Sequence, residues 1–454
     1  MHREVLIIFA AVALYYLTRP RPPLRYDIVD DTTSANNAYG NDNIMLPVYY
    51  SHVGYATSPK TTKQHFDMLK KVFMMNVADY GGVHFPPPPK YTQYLVHPVV
   101  QTLLRKVFYA FRKYMSQTPL TFLSRDPREH HQLALSHNRP DTVEFNELNY
   151  YAFRVDSLTT LQRMAGMLKV ESAVKSMRGV NECDMWALYI KDNNNDTIKV
   201  YVESGHHVQD FVQMPLDLDS KDVKENTSLI CSSLPGFQSK ENWLLSLKQS
   251  HPELERMDRP GKFWSASHSN DPWNRNISFS HISVKAHNID GMVSFYSRVM
   301  GLFPVKQGYL GNNRVVRMMG RDYRLFEFVD GRSASALDLE FPVTHQFAFR
   351  MESLEDLREF RDILLHEPIH SLAFVTHGNC WSIYFCDPEN NRIEVFVDGP
   401  NHVKQPVIED YNLDLSDEEL TQHEVLSWQH HSSFQSVKEY RMKNARKWGL
   451  TEKK

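Results

Sequence analysis

The chain contains itself twice, and that repeat restricts the fold more than any other feature. Residues 148–158 (LNYYAFRVDSL) parallel residues 344–354 (THQFAFRMESL), and both lead into helix-periodic stretches, TTLQRMAGML and EDLREFRDIL. Residues 186–192 (WALYIKD) parallel 381–387 (WSIYFCD), and 198–202 parallel 393–397. Upstream, His52-Val53-Gly54 opens one copy as His281-Ile282-Ser283 opens the other. The tails also match, Leu216-Asp217-Leu218-Asp219-Ser220 against Leu413-Asp414-Leu415-Ser416-Asp417. Within each copy the order is strand, helix, several strands, then the same again. In the second copy, residues 289–300 have helical period with Gly301 as a stop, and 354–365 repeat the pattern. Residues 314–319, 324–329, 381–385 and 392–397 are strand-like, with Asp387-Pro388-Glu389-Asn390-Asn391 as the turn between the last two. The expectation is an α+β fold of four βαβββ units in two tandem modules.

The copies differ where chemistry belongs. His281, His345 and Glu394 each sit in a short β-like run of the second copy. Two imidazoles and one carboxylate on separate strands can occupy one face of an octahedral metal and leave the opposite face open. A lone strand histidine is more often a packed core residue, so the combination carries the reading. The first copy keeps His52 but has Asn149 where the second has His345, and Lys199 where it has Glu394. A charged lysine donates and cannot ligate a cation, so the first copy is expected to be metal-free.

With 454 residues, 42% hydrophobic and 23% charged, the chain has the composition of an ordinary globular protein of several domains. A net charge of −3 gives no basic field for nucleic acid. Cys183, Cys231, Cys380 and Cys386 are too few and scattered for a disulfide framework and fit a reducing compartment. Sequons at Asn195, Asn226 and Asn276 are weak evidence for a lumenal protein. Residues 5–17 (VLIIFAAVALYYL) form an apolar run shorter than a usual span, followed by Arg19, Arg21 and Arg25. An uncleaved anchor over 1–25, a tether over 26–47 and a cytosol-facing body follow from the charge bias, with a secretory or organellar location as the alternative.

The phrase YFCDPENNRIE, residues 384–394, resembles the closing hairpin of the vicinal oxygen chelate superfamily, which includes glyoxalase I, bleomycin-resistance proteins and type I extradiol dioxygenases. Two tandem modules, with metal expected only in the second, most resemble the extradiol (catechol 2,3-) dioxygenases. The resemblance covers about residues 48–205 and 278–425 and implies that each module pairs its own units into a half-open β-barrel. It further implies Fe2+ on His281, His345 and Glu394 (with Mn2+, Zn2+ or Ni2+ as alternatives), and cleavage of a small aromatic diol by O2. Tyr384 matches a substrate-binding tyrosine of the family. Where the family carries an acid–base histidine, the second copy has Tyr323, whereas the first copy keeps a family-like stretch, Arg128-Glu129-His130-His131-Gln132-Leu133. His377 is a candidate proton shuttle in place of the missing histidine.

The first module, 48–205, carries an insertion over 81–120. Its polyproline start precedes a basic amphipathic helix, 99–115, suited to docking on the barrel or lying on a lipid surface. Residues 206–277 form a linker with a helix near 242–249. The second module spans 278–400. In the 401–454 tail, Ser416 and Glu419 form a capping box, after which a solvated helix or frayed end is expected. Two other functions stay open: glyoxalase-like lyase or isomerase chemistry with Zn2+ or Ni2+, which usually draws carboxylate ligands from both halves of a site, and non-catalytic ligand binding. Oligomeric association is open.

Overall fold

Four βαβββ units recur in the order the repeat implies. The computed structural model describes residues 49–81, 120–126, 129–143, 146–250, 277–319, 325–332 and 343–449. Unit one comprises β1 (Tyr49–Ala56), α1 (Thr62–Lys71), β2 (Asn76–Gly81), β3 (Leu120–Ser124) and β4 (Leu133–Ser136). Unit two comprises β5 (Leu148–Val155), α2 (Leu158–Leu168), β6 (Val174–Asn181), β7 (Met185–Asp192) and β8 (Thr197–Glu203). A connection follows with β9 (His206–His207), β10 (Met214–Pro215), α3 (Val223–Cys231), β11 (Gln238–Ser239) and α4 (Lys240–Ser250). Unit three comprises β12 (Ile277–Ala286), α5 (Ile289–Arg298), β13 (Phe303–Leu310), β14 (Asn313–Met319) and β15 (Leu325–Asp330). Unit four comprises β16 (Thr344–Arg350), α6 (Leu354–Leu364), β17 (His370–Thr376), β18 (Cys380–Cys386) and β19 (Arg392–Asp398). After it come β20 (Asn401–His402), β21 (Glu409–Asp410), α7 (Asp417–Trp428), β22 (Gln435–Ser436) and α8 (Val437–Lys447).

Local chemistry explains the matching helices. Ser157 and Ser353 cap α2 and α6 by accepting from the backbone N–H groups of Thr160 and Asp356, at 3.2 and 3.1 Å. Leu354, Leu357, Phe360 and Leu364 bury one stripe of α6, as Leu161, Met164, Ala165 and Leu168 do in α2. After α5, Gly301 takes φ +62°, the left-handed geometry that stops a helix.

The partnering of the units differs from the tandem expectation. One nine-stranded sheet runs β2-β3-β4-β1-β16-β19-β18-β17-β21, joining unit one to unit four. The other runs β10-β6-β7-β8-β5-β12-β15-β14-β13, joining unit two to unit three. Neither copy closes on itself: its two units lie in different sheets. Residues Leu46–Lys454 therefore make one compact unit. Each junction is antiparallel and carries the same irregularities. Gly54 pairs with Gln346 and Tyr55 with Thr344, leaving His345 as a bulge. Ser283 pairs with Tyr150 and Val284 with Leu148, leaving Asn149 in the equivalent place.

The two sheets share one aromatic core. Tyr50 of the first sheet meets Phe279 of the second at 5.9 Å between ring centres, and Phe349 meets Phe326 at 5.8 Å. Tyr55 donates to the Tyr151 hydroxyl at 3.0 Å, deep in the same interface.

Three further expectations need correction or placing. The tail is docked: Trp428 of α7 is 2% exposed, packed with Val403, Val407 and Phe434, and both α7 and α8 begin with a capping box. Cys183 and Cys231 form a disulfide, which the scattered cysteine spacing did not suggest; the fold brings the β6–β7 turn beside α3. The anchor over 1–25, the tether, the 99–115 helix and Tyr323 lie outside the described residues; among the described residues no helix is long and apolar enough to cross a membrane. The disulfide closes 48 residues. Replacing both cysteines by serine is expected to lower unfolding stability by about 2–4 kcal/mol in denaturant titration, because the unfolded chain regains that loop's freedom.

Candidate functional site

His52, Ala348 and Glu394 lie abreast on β1, β16 and β19. Side chains two strands apart start roughly 9.5 Å from each other, so they meet only over a small central residue. Ala348 is that residue, and His52 Nε2 reaches Glu394 Oε2 at 3.2 Å above it. Gln346, two positions along β16, brings its amide to 3.1 Å from His52 Nε2 and 2.7 Å from Glu394 Oε2. Gly54 stands opposite Gln346, where a Cβ would come to 3.3 Å of its Cγ. Ser382 donates to Glu394 Oε1 at 2.8 Å.

His377 and Tyr384 complete one wall. The carbonyl of Val407, 2.5 Å from His377 Nδ1, holds the proton on that nitrogen, so Nε2 accepts from the Tyr384 hydroxyl at 2.8 Å. His377 Nε2 also lies 3.7 Å from Glu394 Oε1. On the opposite wall the His131 ring stands 3.9 Å from that of His52, and its buried Nε2 has no protein partner. Its Nδ1 meets His130 Nδ1 at 2.8 Å, and His130 Nε2 meets Asp79 Oδ2 at 2.9 Å.

The charges suit a cation. Burial alone would raise the Glu394 carboxyl, but the hydrogen bond and charge of His52, with His377 and Ser382, hold it at about 2. Burial pushes His131 well below the usual imidazole value, and His377 below it as well. Two ligands at right angles on an ion, with bonds of about 2.1 Å, lie about 3 Å apart. The His52, Gln346 and Glu394 donors are separated by 2.7 to 3.2 Å, so the three fit one face of a metal. A half-turn of the Gln346 amide presents its oxygen as a ligand in place of its nitrogen.

Of the three residues the sequence grouped, only Glu394 stands here. His345, the bulge residue, turns its Nε2 to the Ser136 hydroxyl; burial and Arg392 lower it to about 4. His281 belongs to the other sheet, where its rings of contact are Tyr150 and Tyr201 and its Nε2 is unpartnered. His281, His345 and Glu394 do not bring their ligand atoms within 4.8 Å of one another. Tyr384 and His377 do join Glu394. Sequence reasoning missed His52, His131, Gln346 and Ser382 as members of this site, although the matched openings of the copies and the paired histidines at 130–131 were visible signals.

The second sheet repeats the layout with different chemistry. His281, Ala152 and Lys199 lie abreast as His52, Ala348 and Glu394 do. Lys199 is fully buried, paired with Glu182 at 2.8 Å and flanked by the rings of Tyr150, Tyr189 and Tyr201 at 5.3 to 5.7 Å. Arg317 bridges Glu327 at 3.1 Å and Asp184 at 3.0 Å, and Lys306 joins Asp184 at 3.2 Å. A cavity of about 550 Å³ opens beside this ionic cluster, lined in part by Glu182, Asp184, Lys306, Arg317 and Glu327. A fixed ammonium thus occupies the position equivalent to the Glu394 carboxylate.

Asp79 and His130 also approach His402, and this trio could hold a metal ion, with its donor atoms all within 4.8 Å of one another.

No protein-family model matches the sequence, and no curated protein matches it. Among solved structures, glyoxalase I from Zea mays aligns over 85% of this chain and 97% of its own, at 9% identity and TM-score 0.42. A glyoxylase/bleomycin resistance protein/dioxygenase domain from Frankia covers 27% of this chain and 98% of its own, at 18% identity and TM-score 0.23. A fosfomycin resistance protein from Mesorhizobium loti covers 26% and 89%, at 17% identity and TM-score 0.22. Identities and TM-scores this low leave function to the residues of the site.

Two outcomes check the electrostatics. Lys199→Met removes the nearest cation from the buried Glu182 carboxylate, leaving it the Tyr189 hydroxyl at 2.6 Å and Arg317 at 3.7 Å, and is expected to cost about 3 kcal/mol in denaturant titration, part of it recovered by adding Glu182→Gln. Asp184 behaves as a depressed acid: burial would raise it, but Lys306 and Arg317 outweigh that and hold it at about 2. Its contribution is present above the unfolded carboxyl value near 4 and is lost as pH falls toward 2. The stability gap between the parent and Asp184→Asn is therefore expected to narrow from about pH 5 to pH 2.

Proposed function

We propose that this chain is a metal-dependent enzyme of the vicinal oxygen chelate kind, acting on a substrate that grips the ion through two neighbouring oxygens. The preferred reaction is extradiol cleavage of a small aromatic diol by O2. The observation that carries this reading is the convergence of His52, Gln346 and Glu394 within 2.7 to 3.2 Å beside a partnerless His131 nitrogen. Iron(II) on that trio would supply Lewis-acid and one-electron chemistry to a chelating diol and O2. One carboxylate among the three donors leaves the charge of a diolate unopposed by further protein anions.

The surrounding residues have separable roles. His131 offers an unpartnered Nε2 with which to exchange a proton with a substrate hydroxyl, the task for which the sequence named His377 as candidate and left only Tyr323 in the family histidine's place. Tyrosine titrates near 10, so a neutral imidazole is the better exchanger at neutral pH. Tyr384, held by His377, orients an oxygen of the substrate through its hydroxyl. Ser382 keeps Glu394 turned toward His52. The buried setting of His52, Glu394 and Ser382, at 3%, 2% and 0% exposure, keeps bulk water from those donors.

A second reading, glyoxalase-like lyase or isomerase chemistry on Zn2+ or Ni2+, is favoured by one observation. The donors come from both sequence copies, with an amide in place of a second imidazole. The disulfide also favours a secretory or organellar location over a cytosol-facing body, since such bonds persist in oxidising compartments.

Anaerobic loading with Fe(II), followed by O2 uptake across a panel of catechols, tests the preferred reading. A coloured ring-fission product is expected, with turnover reduced at least 1,000-fold by Glu394→Gln, on the order of 4 kcal/mol of barrier. His52→Ala is expected to bind one equivalent of iron fewer than the parent by elemental analysis, while His281→Ala matches the parent. Activation by zinc or nickel on a thiol–aldehyde adduct, without O2 uptake, would overturn ring cleavage in favour of the second reading.

A further inference from the structure

A second cluster of donors lies behind His131, and one of its separations is too long for a hydrogen bond. Asp79 on β2 presents Oδ2 to His130 Nε2 at 2.9 Å and to His402 Nε2 at 3.5 Å. The first distance suits a hydrogen bond; the second exceeds the 2.7–3.2 Å range for N–H···O. Two ligands on a tetrahedral zinc, with bonds of about 2.0–2.1 Å, lie about 3.3 Å apart, between the two distances seen. All three donor atoms fall within 4.8 Å of one another. A point near the middle of that triangle is no more than about 2.4 Å from each, so side-chain adjustments of a few tenths of an ångström give zinc bond lengths.

The setting of His402 points the same way. It is 2% exposed, its Nδ1 has no partner, and Tyr440 of α8 stacks on its ring at 3.4 Å between centres. The stacked ring fixes the imidazole with Nε2 facing Asp79. The backbone N–H of Gln405 donates to the same Asp79 oxygen at 3.0 Å, holding the carboxylate from the other side. Donor chemistry agrees too: two imidazoles and one carboxylate are zinc ligands, and three protein ligands leave a fourth position for water.

We propose that Asp79, His130 and His402 bind a divalent zinc-class cation whose role is to clamp the post-β19 segment to unit one. The ligands come from β2, the turn before β4, and β20. β20 pairs with β22, which leads directly into α8. The ion would thus reinforce the join between the closing segment and the opening unit, where the Gln405 N–H already bonds Asp79 and Trp448 packs against Ala78, Phe122 and Ala134. With the ion on Nε2, His130 carries its proton on Nδ1 and donates to His131 Nδ1. His131 then turns an N–H toward the His52–Glu394 site, so the clamp also selects the tautomer presented there. The clamp stands independently of the proposed reaction.

The test uses the full chain carrying Glu394→Gln, which disables the first site, stripped with a chelator and titrated with Zn2+ alone. One equivalent is expected to bind and to raise the melting temperature by several degrees. Adding Asp79→Asn, which preserves size and can still hydrogen-bond His130, is expected to weaken zinc at least 100-fold and to abolish the shift. His402→Gln provides a second variant with the same expectation, and circular dichroism without metal verifies that each is folded. Co2+ as a probe is expected to show the intense visible absorption of a tetrahedral site, lost in both variants. No bound zinc in the Glu394→Gln chain, or unaltered affinity and melting in both folded variants, would overturn the proposal. Failure of ring cleavage alone would leave the zinc stoichiometry as expected, which separates the two readings.

Discussion

Antiparallel pairing of β1 with β16 is the contact on which the rest depends. It carries the opening strand of the chain across to its fourth unit, some 290 residues away in register. By setting His52 and Glu394 on either side of Ala348, it creates the donor set; the equivalent pairing of β5 with β12 sets His281 and Lys199 around Ala152. Strand spacing does not permit two long side chains to meet across a bulky middle residue, so the His52–Glu394 contact requires the small Ala348 between them.

One scaffold thus carries opposite charges at two equivalent strand positions. In the first sheet a carboxylate, an imidazole and an amide converge with none of them cationic by nature, and a metal fits. In the second, Lys199 brings its own charge, and Glu182, Asp184 and Glu327 balance it together with Lys306 and Arg317. A covalent ammonium cannot exchange ligands, so the second sheet offers no metal chemistry at this position, although it keeps a cavity of about 550 Å³. The contrast between the Glu394 and Lys199 positions runs between two sheets, each assembled from both halves of the sequence.

Several features of the site were legible in residues alone. Glu394, Tyr384 and His377 stand together, and the four units follow in the order that the repeat implied. His345 was misleading for a physical reason: side chains alternate along a strand, and a bulge shifts which neighbour faces the partner. With the bulge at His345, it is Gln346 that joins His52 and Glu394. No pattern in THQFAFR announces that irregularity, although Asn149 shows it again in the other junction. The disulfide was hidden similarly, since Cys183 and Cys231 become neighbours only when α3 folds back onto the β6–β7 turn.

By itself the sequence determined the local units: which stretches are strands and helices, that they recur four times, and that carboxylate and lysine alternate at matched positions. Those properties follow from periodicity, capping and residue chemistry within a few residues of one another. Tertiary structure alone decided which unit meets which. Each unit exposes a similar first strand as an open edge, and all four edges carry compatible backbone hydrogen-bonding groups, so neighbours in sequence and neighbours in the sheet are equally permitted by local rules. The choice was made by the shared core, where Tyr50, Phe279, Phe326 and Phe349 pack between sheets, and that packing exists only in the assembled fold.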